Sequence, residues 1–139
     1  LGDLHPITIP YKSDFFRTKA HSSNLYFGAS LKALITLGKK KGYTFVGTNT
    51  NGVNAFFIRD DFAPMITSLL SSISAYPSLS REARNADGKL NFISGLERLE
   101  IIRDCKILNL ETNEVTKIDK LGKIYSAKWQ VGKKNNYKD

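Results

Sequence analysis

The chain is poor in the residues that most often declare a chemistry. A single cysteine, Cys105, stands among 139 residues, so no intrachain disulfide forms and a disulfide-built secreted scaffold is excluded. Cys105 sits in IIRDCKI with no neighbouring histidine, which favours a structural thiol over a nucleophile. The two histidines, His5 and His21, lie too far from it in sequence to make a zinc-ligand pattern. No run of 18 apolar residues exists to span a bilayer. Asp3, His5 and Pro6 break the apolar core that a signal peptide needs, so the expected location is the cytoplasm. Neither G-x-G-x-x-G nor G-x-x-x-x-G-K-[ST] occurs, and both phosphate-cradling loops are therefore missing. A starting methionine is also missing, and with Leu1 in its place the expectation is a fragment of a larger protein.

What is present suits one folded domain. Apolar residues make up 41% of the chain, dense from Leu25 to Ile73 and thin beyond Ile107. This distribution predicts a compact α/β domain over residues 1–110 and a basic C-terminal extension over 111–139. The formal net charge is +8, and residues 117–139 hold seven lysines against Asp119 and Asp139. Such a tail attracts nucleic acid or anionic lipid weakly and without sequence preference, and Tyr125, Trp129 and Tyr137 add aromatic faces for stacking. The plainer alternative is a solvated, solubilising tail.

Local signals divide the compact part. Ile7 and Ile9 alternate between Pro6 and Pro10, which predicts a short extended or edge segment. Ser22, Ser23 or Asn24 can cap a helix from Tyr26 or Phe27 to Lys41, with Phe27, Leu31, Leu34, Ile35 and Gly38 on one face. Lys39, Lys40 and Lys41 oppose the negative end of its dipole, and Gly42 is the stop. Tyr43–Thr48 alternates as a strand, Asn51-Gly52 supplies a tight turn, and Val53–Arg59 returns. The return strand is nearly apolar on both faces, which predicts a sheet interior under helices. Asp60 or Asp61 is placed to cap a helix with Pro64 in its first turn. After an irregular stretch, Ser94 and Glu97 spell a capping box for a helix that presents Leu96, Leu99 and Ile102, with Ile101 a further candidate. Weak alternation through Ile124, Ala127 and Trp129 fits a small hairpin or a loosely packed appendage, and Asn135–Asp139 is expected to be disordered.

Four residues are candidates to line a pocket. His21, Asn24 and Tyr26 precede the long helix, close to Arg17 and Lys19, where a polar or anionic ligand could meet free helix amides. Asn54 is a polar residue in an otherwise apolar strand, which calls for a buried contact or a face toward a pocket. No catalytic or metal-ligating residue is singled out.

The segment SNLYFGASLKALITLGKKKGYTFVGTNTNGVNAFFIRDD, with ITIPYKSDFFRTKAHSS before it and DGKLNFISGLERLEII after it, resembles the C-terminal part of a bacterial group of class I S-adenosylmethionine-dependent methyltransferase-like proteins. The resemblance covers roughly residues 5–104. It implies the closing portion of a Rossmann-like methyltransferase sheet, in which Gly28–Lys41 is the late helix and the two strands are the sixth and seventh. The glycine-containing loop and acidic residue that hold the cofactor in this family belong to its first half and are absent here. The resemblance therefore implies no cofactor in this segment and S-adenosylmethionine in a complete protein. Its implied partners are the missing N-terminal half and a methyl acceptor of unspecified class. The alternative is a non-enzymatic interaction domain whose basic tail binds nucleic acid weakly.

Overall fold

A computed structural model describes residues 1–78 and 82–130. They form a small mixed α/β domain with two small antiparallel sheets, neither closed into a barrel. The first sheet has the order β1 (Ile7–Thr8), β4 (Lys106–Asn109), β5 (Glu114–Lys117). Ile7 is opposite Asn109, and Ile107 is opposite Thr116. The far side of β1 is met by residues 28–30, with Ile9 N–H donating to Gly28 O at 3.1 Å and Ser30 N–H to Ile7 O at 2.8 Å. The second sheet is the hairpin β2 (Tyr43–Thr48) and β3 (Ala55–Arg59), interrupted by a bulge between Phe45 and Gly47.

Helix α2 (Leu31–Lys40) connects the two sheets and lies against β2. It starts later than the sequence pattern predicts because Ser30 is the cap. Ser30 Oγ accepts from Ala33 N–H at 3.0 Å, and Gly28 stays outside the helix at φ +71°. Gly42 takes φ +77° just past the C-terminus, a conformation that favours glycine. Gly38 faces the hairpin so closely that a Cβ there would meet the Phe57 ring at 2.8 Å. Phe57 in turn tilts against its cross-strand partner Phe45, ring centroids 5.5 Å apart.

The turn between β2 and β3 is longer than the Asn-Gly signal predicts and spans residues 49–54. Asn49 organises it: its N–H donates to Asn54 O at 3.1 Å, and its Oδ1 accepts from the amides of Val53 and Asn54. Gly52 has φ +62°, and a Cβ there would lie 2.4 Å from the carbonyl oxygens of Tyr76 and Pro77. Neither Asp60 nor Asp61 caps the next element. Asp60 accepts from the Thr44 hydroxyl and Asp61 pairs with Arg59, while a 3-10 turn over Ala63–Ile66 leads into α3 (Thr67–Leu70).

The core lies elsewhere. Ile7, Leu25, Leu31, Ala83, Ile102, Ile107, Ile118, Ile124, Tyr125 and Trp129 form one buried cluster. Residues 118–130 are thus built into the domain: the amides of Asp3 and Leu4 donate to Ile124 O, and the boundary expected at 110 falls inside the β4–β5 hairpin. The expected disordered end, Asn135–Asp139, lies outside the described residues, as do Lys133, Lys134 and Lys138. By contrast, Gly47 is the one buried residue from Leu34 to Ser78. The return strand expected to be covered on both faces is half-exposed, and it pairs with β2 alone among the described strands. The stretch of sequence densest in apolar residues is therefore poorly buried among the described residues.

Candidate functional site

The segment from Arg17 to Tyr26, with α1 (Arg17–Ala20) at its start, is held by its own polar groups. His21 Nδ1 lies 2.8 Å from Ser23 Oγ and accepts from Ser23 N–H at 3.2 Å. Asn24, buried at φ +57°, gives its carbonyl to Arg17 Nε–H at 3.1 Å and its side-chain amide to Glu82 O. Arg17 also pairs with the Glu82 carboxylate at 2.8 Å and stacks 3.8 Å above the Phe27 ring. His21 thus shapes the turn internally, while Asn24, Arg17 and Ser23 fasten it to residues 82–84, where Arg84 N–H donates to Ser23 O. Their polar atoms serve the fold.

Tyr26 points the other way. It lines a groove of about 540 Å3 with Phe15, Phe16, Lys19, Cys105 and Lys106. Its hydroxyl donates to Lys106 O. Burial, with a smaller contribution from Cys105, raises the phenol above its ordinary value, and burial followed by Asp104 raises the Cys105 thiol. Both groups are therefore protonated near neutrality, and Cys105 is not poised as a nucleophile. Asn54 is exposed in the hairpin turn, ahead of the strand, so the structure does not bring the four candidates together.

A second cavity, of about 170 Å3, opens between the β2–β3 hairpin, the start of α2 and the segment that carries Tyr125 and Trp129. Leu25, Leu31, Ile102 and Trp129 give it apolar walls, while Thr48, Tyr76 and Arg98 bring polar groups. Arg98 is only 7% exposed. It projects from α4 (Gly95–Ile101) and donates to Ser78 O and, at 3.4 Å, to the Tyr125 hydroxyl. Among the described residues no carboxylate pairs with it. The expected capping box does not form, since Ser94 makes no side-chain cap bond and Gly95 enters the helix at φ +59°. The buried stripe is then Gly95, Arg98 and Ile102, with Leu96 and Ile101 outward. The three-and-four spacing that links Gly95, Arg98 and Ile102 was the available signal, and the charge on Arg98 concealed it.

Beside the cavity, burial and then the charge of Arg98 hold the Leu1 amine at about 5, with Asp3 acting in the opposite direction. Asp3 itself accepts from Ser126 N–H through Oδ1 at 2.9 Å. Among the described residues no three His, Cys, Asp or Glu side chains group as a metal site, and no helix is long and apolar enough to cross a membrane. The chain's residues also do not fit S-adenosylmethionine: the described strands pair only antiparallel, and β1 runs into Ile9-Pro10 and not into a glycine loop and helix. No family model, curated protein or solved structure matches the chain.

Proposed function

We propose that this chain is the sheet-closing portion of a methyltransferase-like enzyme, contributing scaffold and one side of a substrate region, with the cofactor held by preceding residues of a longer gene product. One observation carries the reading: an apolar hairpin with an uncovered face and an open edge. Phe56 is 51% exposed on β3, and Met65 is 79% exposed on the following 3-10 turn, with Val53, Phe62 and Leu69 also exposed around them. Past the bond from Phe62 N–H to Arg59 O in the following turn, the outer edge of β3 pairs with no described strand. An apolar strand with an open edge is a template for further pairing, and folded proteins normally cover or charge such edges. In the proposed enzyme the preceding strands pair there, and the helix α2 and hairpin close the sheet. The groove at Tyr26 and the turn at His21 and Asn24 then lie on the substrate side, and Asn54 lies at the hairpin tip.

A calorimetric titration tests the cofactor assignment. S-adenosylmethionine is expected to bind the longer gene product and not the 139-residue chain. Binding to neither overturns the reading as an enzyme. Binding to the 139-residue chain alone would overturn the division of labour. The nucleic-acid alternative keeps less support, because Tyr125 and Trp129 are buried in the core and Tyr137 lies outside the described residues.

A further inference from the structure

Arg98 is an arginine whose surroundings leave it work to do. A guanidinium presents five N–H donors in a planar fork. Among the described residues it makes two hydrogen bonds, one to Ser78 O and a long one to the Tyr125 hydroxyl. The Tyr125 ring adds a weaker attraction with its centroid 5.9 Å from the guanidinium carbon. Among the described residues neither contact supplies a negative charge. A buried cation is normally paired, because removing it from water is costly. The Leu1 amine beside it, held at about 5, is uncharged near neutrality, and the Asp3 carboxylate already accepts from Ser126 N–H. The cavity continues from Arg98 between Leu25, Leu31, Ile102 and Trp129.

We propose that this cavity binds a small carboxylate with a short apolar tail. The planar fork of Arg98 takes the two carboxylate oxygens, the arrangement for which arginine is better suited than lysine. The Tyr125 hydroxyl, already beside the guanidinium, holds it in orientation. The tail lies against the leucine, isoleucine and tryptophan walls. At about 170 Å3 the space accommodates a few heavy atoms and excludes a nucleotide. The site is independent of the cofactor question, since it is formed by residues of this chain alone.

Butyrate is the probe. Its binding to the 139-residue chain is followed by the side-chain Nε–H resonance of Arg98, with sodium chloride at equal ionic strength as the control. A saturable shift with a dissociation constant of about 1 mM or tighter is expected for butyrate. Acetate, lacking the tail, is expected to bind at least about tenfold more weakly, a difference equivalent to burying one or two methylene groups. Tyr125→Phe keeps the ring and removes the hydroxyl, and should weaken butyrate several-fold without loss of the fold. Arg98→Lys should abolish the preference for butyrate over chloride. No Arg98 shift with butyrate, or an equal shift with chloride, overturns the proposal. So does undiminished butyrate affinity in folded Arg98→Lys.

Discussion

Ser30 shows how one buried hydroxyl ties the N-terminal segment to α2. Its Oγ caps α2 at Ala33 N–H, accepts from Ile7 N–H at 3.1 Å and donates to His5 O at 2.6 Å, while its side chain is fully buried. Ser30→Ala should therefore destabilise the chain by about 2 kcal/mol, the sum of a lost cap and poorly satisfied buried groups. Urea denaturation measures this, and a loss below about 0.5 kcal/mol would show that the segments are held by other means. Gly38 makes a different case. Alanine favours a helix by about 1 kcal/mol, yet the Phe57 ring occupies the space for its methyl. Gly38→Ala should cost about 1 kcal/mol net, and the sign should reverse in a Phe57→Leu background. The Leu1 amine adds a pH dependence. Unfolded, it takes up a proton near 8.0, and folded only near 5, so the unfolded state binds more protons between these values. Stability from this group is intact above 8, falls as the pH drops toward 5, and changes no further below. Denaturation across that interval should show this slope, and an N-terminally acetylated chain should lack it.

At the scale of elements, what the sequence made legible was local. The glycine stop at Gly42 and the strand Tyr43–Thr48 depend on neighbouring residues and occur where the pattern places them, whereas α2 begins only at Leu31 and a bulge between Phe45 and Gly47 breaks the alternation of β2. Burial is not local. Phe56 reads as core from its apolar strand, yet it is exposed, whereas Ile118, Ile124, Tyr125 and Trp129 fill the core from a segment that reads as an appendage. The reason is topological: β1 from the start of the chain pairs with β4 from its last third, so the core forms around a contact that sequence spacing does not reveal. The same limit affected the candidate site. Asn24 was recognisable as a polar residue near a turn, but its partner Glu82 was not, and Arg98 was hidden on a helix face judged by its leucines. For β3 the exposed face makes a direct prediction. Phe56→Lys should change the stability of the 139-residue chain by no more than about 0.5 kcal/mol, while in the longer gene product it should cost about 3 kcal/mol. Thermal or urea denaturation of both proteins measures the contrast.

At the scale of the whole molecule, two unequal parts share one chain. The first sheet, with its covering segments, has a buried core drawn from both ends of the sequence. The second is a hairpin that is apolar but uncovered, joined to the first through α2 and the strand-like contact of Thr48 N–H with Ser74 O. An open edge on β3 is the feature from which the proposed enzyme follows, and hydrogen exchange reads that edge directly. In the 139-residue chain the outward amides of Ala55–Ile58 should exchange rapidly, and in the longer gene product they should be protected to the level of the core strands β4 and β5. Equal, fast exchange of these amides in both proteins would contradict the account, because β3 would then remain an edge when the whole protein is present.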